Sequence, residues 1–308
     1  MVKRSVCFIL TFVMIVCSLL TDNSVYAASK LTTLKVDKVY KQFDLDHDGK
    51  NEELLFKEHE VPEWEEDMCD YLSVYVNGKK ILNVKGIYYK EQYSILLVQM
   101  QKKYFLYVNL WGDDGVGPIL IYKYEQGAFT KVFDGNKLSD KFGYWGSIAI
   151  QSVDKNKIKI RLSSMSYAVA SIELEAKLKY KDGKLVLASK MCKVKKYYNR
   201  EEYSKNSDLY KKDRKPYLTV ARDIQLYKTC NKKSKSFIVK RGEKAKILKC
   251  YIGNKHVMYQ IKTKSGKQGW FYTDNKVTVI NNKLFEEIVY AGSVSYTHLR
   301  AHETPEHL

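Results

Sequence analysis

Histidine is scarce, with six in 308 residues, and half of them (His298, His302 and His307) stand near the C-terminus. The other three, His47, His59 and His256, are far apart in the chain. A Ser-His-Asp or Cys-His machine needs a base within hydrogen-bond reach of its nucleophile. GxSxG, HExxH and phosphate-cradling glycine loops are all absent, which removes the usual sequence support for acyl transfer, zinc hydrolysis and nucleotide chemistry. Carboxylate-only catalysis, as in glycosidases, survives this exclusion because acidic residues are plentiful. CxxC is missing too, which argues against zinc ribbons and dithiol redox chemistry. Beyond the first residues, no apolar run is long enough to cross a bilayer.

The one long apolar run, VCFILTFVMIVCSLL, follows Lys3 and Arg4 and precedes SVYAA. Val25 and Ala27 suit signal-peptidase cleavage, so residues 1–28 are expected to be an export signal. A membrane anchor is the competing reading, but the run is shorter than the roughly 20 residues a bilayer needs. A lipoprotein fits less well, since Cys17 follows Ile15 and Val16 rather than a small residue. At the other end, His298 and His302 have the i, i+4 spacing of helical zinc ligands, but nothing apolar surrounds them to orient a site. The tail SVSYTHLRAHETPEHL resembles a string that recurs where sequencing-adapter DNA has been translated, so residues 293–308 are set aside.

What remains is long enough for two domains. Runs such as LSVYVNGKKILNV, YSILLVQMQKKYFLYVNLW, ILIYKYEQGAFTKVF, SIAIQSVDKNKIKIRL and SIELEAKLKYKDGKLVLASK each break at a turn signal. The breaks fall at Asn77-Gly78, Gln101-Lys102-Lys103, Gln126-Gly127, Asp154-Lys155-Asn156 and Asp182-Gly183. Hairpins in a meander follow. Tyrosine, with 25 copies, also favours a half-buried pleated surface. The expected fold is all-β: an antiparallel β-meander over 29–192, propeller-like or sandwich, then a linker over 193–216, which is polar and without a core-forming period, and a small barrel over 217–282.

Within the first unit, FDLDHDGKNEELLF clusters acidic residues on a turn. Counted from Asp44 as an EF-hand, the twelfth position is Leu55 rather than a bidentate Glu, and the flanks read as strand rather than helix. The pattern DxDxDGxxE over about residues 36–60 instead resembles the calcium-binding turns of FG-GAP or VCBS-like β-repeat proteins. That resemblance implies Ca2+ held by Asp44, Asp46, Asp48 and Glu52, with the Lys50 carbonyl as a further ligand. Such a set of hard oxygens suits calcium, which would brace the loop rather than signal. An acidic turn that binds nothing is the plain alternative, since Asp and Gly favour turns for backbone reasons. Downstream, Glu60, Glu63, Glu65, Glu66, Asp67 and Asp70 read as a solvated loop, and Asp113-Asp114 as part of a glycine-rich surface turn.

From 218 to 275 the order of motifs is IQLYKTCNKKSKS, Lys240-Arg241-Gly242-Glu243-Lys244, AKILKCYI, VMYQIKT and Gly266-Lys267-Gln268-Gly269-Trp270. This segment resembles a bacterial SH3 (SH3b) domain, although its first strand lacks the LNVR and proline turn usual in that family. The resemblance implies a non-catalytic binding module that holds an exported protein to the cell wall. Charge points the same way, with nineteen Lys and Arg against four Asp and Glu over 211–280. A surface so basic attracts anionic polymers. Expected partners are therefore peptidoglycan or anionic wall polymers such as teichoic acids of a Gram-positive envelope, outside the cell, with no dedicated nucleic acid.

Tyr227, Tyr251, Tyr259, Trp270 and Tyr272 are the aromatic candidates for contacting a ligand, with Trp270 also expected to supply much of the small core. Two other functions stay open: a wall hydrolase anchored by the same module, and an adhesin whose first unit binds an external partner. Of the cysteines left after signal cleavage, Cys69 with Cys192 and Cys230 with Cys250 is the disulfide pairing that respects the domain boundary. Four buried thiols are the alternative.

Overall fold

The meander is punctuated where the sequence bends most easily. Asn77-Gly78, Gln126-Gly127 and Asp182-Gly183 all take positive φ at both positions (50° and 75°, 53° and 75°, 50° and 76°), as two-residue hairpin turns matched to strand twist require. The structure is a computed structural model and describes residues 29–62, 67–112, 117–142, 145–166, 168–198, 217–231, 234–254, 256–273 and 283–287. Residues 1–28, expected to be an export signal, together with Glu63, Glu65, Glu66, Asp113, Asp114, residues 199–216 and the C-terminal tail, lie outside the described residues.

The protein is almost entirely antiparallel β. A four-stranded sheet follows the order β2 (Tyr40–Phe43), β3 (Glu52–Glu60), β4 (Met68–Val76) and β5 (Lys79–Tyr89). A five-stranded sheet sets β1 (Lys30–Leu34) beside β6 (Tyr93–Met100), followed by β7 (Lys103–Leu110), β8 (Ile119–Glu125) and β9 (Ala128–Asp134). A short helix, α1 (Gly135–Ser139), capped by the Asp134 carboxylate on Lys137 N, leads out of it. The third sheet runs β10 (Trp145–Asp154), β11 (Lys157–Ser166), β12 (Ala170–Lys181), β14 (Met191–Tyr198), β18 (Lys244–Ile252), β19 (Val257–Thr263), β20 (Gln268–Tyr272), β16 (Ile224–Tyr227) and β17 (Lys235–Val239). β13 (Lys184–Leu187) pairs with β12, and β15 (Leu218–Thr219) with β18.

The five-stranded sheet is the middle layer of a stack. Ile95, Leu97, Leu106 and Val108 point into one core with Leu54, Phe56, Leu72 and Val74 of the four-stranded sheet. Their alternates, Leu96, Val98, Phe105 and Tyr107, enter a second core with Ile148, Ile160, Leu162 and Leu174 of the third sheet. This is why YSILLVQM and KYFLYVNL are apolar nearly throughout, since a strand covered on both faces has no solvent side to alternate toward. The Tyr107 hydroxyl donates to the Ile148 carbonyl and ties the layers together.

The second core continues without interruption into the C-terminal strands. β14 occupies the first residues of the stretch expected to be a linker and pairs with β18 at Met191–Tyr251, Cys192–Cys250 and Lys193–Lys249. Residues 283–287 return to the same place. Leu284 N donates to the Ala168 carbonyl, Ala221 N to the Leu284 carbonyl, and Phe285 bridges to Val220 and meets Phe271 edge-on at 6.3 Å. Glu287 accepts from both the N–H and the hydroxyl of Thr219.

All four described cysteines are free thiols. The pairing expected from domain boundaries does not match their places. Cys69 and Cys192 belong to different cores with the middle sheet between them, whereas Cys192 stands directly opposite Cys250. Burial pushes the Cys69 thiol up to about 11 and the Cys192 thiol up to about 12, while Cys230 is half-exposed. Since the thiolate is the nucleophile, brief alkylation of the native protein at pH 8 should modify Cys230 alone among the four described cysteines. Peptide mass spectrometry showing equal labelling at Cys192 would contradict this packing.

Candidate cation turn and basic C-terminal surface

The acidic turn joins β2 to β3, and its carboxylates fold back on their own backbone. Asp44 Oδ2 accepts from Gly49 N at 3.1 Å, Asp46 Oδ1 from Asp48 N at 3.2 Å, and Asp48 Oδ1 from Lys50 N at 2.7 Å. Gly49, with φ of 90°, makes the reversal that a side chain would strain. His47 Nε2 lies 2.8 Å from the Lys102 carbonyl, and its ring stacks on Tyr104, which pins the turn to the β6–β7 hairpin.

One oxygen from each of Asp44, Asp46 and Asp48 can be chosen so that all three lie within 4.8 Å of one another. Asp44 Oδ1 is buried and has no hydrogen-bond partner. Glu52 is not part of that close triad; it is 5 % exposed, with Oε2 accepting from Leu45 N at 2.6 Å. Burial, followed by the charges of Asp46, Asp44 and Asp48, raises the Glu52 carboxyl above its ordinary range. An orphaned buried oxygen and a crowd of hard, mutually repelling donors fit a divalent cation. Lys50 enters this site through its backbone N–H, as the donor to Asp48.

The aromatic candidates separate. Tyr259 is fully buried and stacked on Phe271 at 5.5 Å, so it belongs to the core and cannot meet a ligand. Trp270 is 6 % exposed but lies on the opposite face of β20 from Phe271, paired across strands with Tyr227. The ring at the centre of the C-terminal core is therefore that of Phe271, not Trp270. Tyr227 and Tyr251 are half-buried, and Tyr272 keeps 38 % of its surface. Tyr251 and Tyr272 flank His256 at 6.3 and 6.2 Å, and the buried His256 Nε2 has no hydrogen-bond partner. Sequence reading missed His256, whose position in a strand-to-strand turn carries no motif.

Around these strands the described acids are engaged internally. Asp223 takes Lys240 Nζ at 2.7 Å and Arg241 N at 3.0 Å, Glu243 takes Lys240 N, Glu286 pairs with Lys283, and Glu287 holds Thr219. Lys228, Lys235, Lys244, Lys249, Lys262 and Lys264 all remain exposed. Elsewhere, His59 Nδ1 lies 2.8 Å from Asp70 Oδ1 and the ring stacks on Tyr71. Among the described residues none of the three histidines is bonded to a hydroxyl or thiol. No protein-family model, curated protein or solved structure matches the chain.

Proposed function

We propose that this is an exported, non-catalytic binding protein of the bacterial envelope. Its basic SH3b-like unit, β15–β20, holds it to peptidoglycan or anionic wall polymers, and Ca2+ on Asp44, Asp46, Asp48 and Glu52 braces the N-terminal stack. The observation that carries the reading is the charge imbalance of the C-terminal unit. Its acids are consumed in internal contacts and its lysines point outward, a surface suited to long-range capture of a polyanion. Tyr251 and Tyr272 add ring faces at one end of that surface, as sugar or peptide contacts require. A leader of the kind read at residues 1–28 would deliver the protein to such polymers.

Co-sedimentation of the full chain with purified sacculi, with and without teichoic acids and across salt, tests the reading. Binding that survives salt and teichoic-acid removal is expected for a peptidoglycan module, and Tyr272→Ala should weaken it roughly fivefold, as loss of an aromatic contact of about 1 kcal/mol does. Binding lost in either condition would reduce the module to electrostatic adhesion, and no binding at all would sink the wall assignment.

A further inference from the structure

The third sheet carries an exposed cation on each of five successive strands: Arg161 on β11, Lys177 on β12, Lys193 on β14, Lys249 on β18 and Lys262 on β19. Arg161, Glu175, Lys193, Lys249 and Gln260 are consecutive cross-strand partners, so they form one row on one face. Lys177 stands two residues along from Glu175, and Lys262 two along from Gln260, on the same face.

None of the five cations makes an ion pair among the described residues. The acid in the row, Glu175, is already held by Lys159 at 3.0 Å and Lys195 at 3.3 Å, and these hold its carboxyl below the ordinary range. Lysine pairs face each other directly across strands on this surface, among them Lys157–Lys179, Lys159–Lys177, Lys193–Lys249 and Lys246–Lys262. Opposed like charges destabilise a sheet. Lys193 and Lys249 are worse placed still. Ile252 N donates to the Lys190 carbonyl, which makes their position the close, non-hydrogen-bonded kind.

We propose that this row is a track for a linear polyol-phosphate polymer of the teichoic-acid type, crossing from the N-terminal unit onto the C-terminal one. The inference rests on the envelope assignment and extends it, because three of the five cations lie outside β15–β20. Strands stand about 4.8 Å apart, so a chain laid across them meets a fresh cation at each step. Lysine, which binds phosphate as a point charge, supplies four of the five positions. Single-stranded nucleic acid fits less well, since it needs rings on which successive bases stack, and Tyr272, with 38 % of its surface free, is the one exposed aromatic on this face among the described residues.

The test is binding of delipidated poly(glycerol phosphate) by the full chain across salt, with melting curves to confirm that each variant is folded. Arg161→Gln/Lys177→Gln and Lys193→Gln/Lys249→Gln should each weaken binding about tenfold at low salt and flatten its salt dependence, because fewer counterions are released. Parental affinity in Arg161→Gln/Lys177→Gln would overturn the track by confining the polymer to the C-terminal strands. Tighter binding of single-stranded DNA of equal charge would overturn the choice of polymer. Stripped sacculi separate the two proposals. Capture of those sacculi without capture of the soluble polymer removes the track and leaves the envelope assignment standing, and the reverse result removes the peptidoglycan contact and leaves the track.

Discussion

Saturating calcium, about 10 mM for a Kd of about 10^-4 M, should raise the melting temperature of the cation-free protein by roughly 5–10 °C. The figure follows from saturation at about a hundredfold over Kd, worth about 2.7 kcal/mol. Extracellular calcium modules work at Kd of about 10^-4 to 10^-3 M, so the titration belongs in that range and above. Asp44→Asn keeps an acceptor for Gly49 N while removing charge beside the orphaned Oδ1, so it should abolish the calcium response with little effect on the cation-free protein. The effect also carries a pH signature through Glu52. Without a cation, the folded state holds the Glu52 proton more tightly than the unfolded chain does. Stability should then fall as pH rises from about 4.5 through the raised folded value, the sign expected when the native state binds more protons. A bound cation favours the carboxylate and opposes that fall, so the calcium shift should be small near pH 4 and full at pH 7. Glu52→Gln should flatten the cation-free profile. Identical melting with calcium and with chelator across that range would leave a plain acidic turn.

Phe285→Ala should cost about 3–5 kcal/mol, the usual range for truncating a fully buried aromatic. Phe285 is 0 % exposed, packs edge-on against Phe271, and sits on a strap that touches β15 and, through Leu284, the Ala168 carbonyl. Its removal opens a cavity where the C-terminal strands meet the third sheet's earlier ones. Urea unfolding followed by far-ultraviolet circular dichroism would show the loss as a lower midpoint with an unchanged slope. A cost below about 1 kcal/mol would mean that the strap is not part of the cooperative core.

The hairpins were legible because their turn residues are chemically special. Asn-Gly, Gln-Gly and Asp-Gly at 77–78, 126–127 and 182–183 tolerate the positive φ those turns demand. The acidic turn was legible for the same local reason, and its passage from one strand into the next follows the reading of its flanks. Partnerships between distant segments were not legible. β1 pairs with β6 across some sixty residues, and no local pattern names the partner. Nor could composition carry β14 on to Tyr198, because KVKKYY, which continues the strand past Cys192, also reads as polar linker. Leu284 and Phe285 stood alone in a weakly patterned stretch. Trp270 drew attention through its motif, but strand alternation put Phe271 in the core instead. The basic row left only a faint trace, lysines at every second position in KIKIR, EAKLK and KAK, on strands whose order in the sheet the sequence does not give.

The β14–β18 pairing joins the C-terminal strands to the stacked sheets by main-chain hydrogen bonds rather than by a loose tether. A module on a flexible leash samples its target in every orientation and reports nothing about direction. Here the face proposed to meet the polymer is fixed relative to the stacked sheets behind it, so capture would also align the acidic turn at the far layer. The molecule would stand on its target in one pose, and whatever the N-terminal layers present to the outside would be presented the same way by every copy.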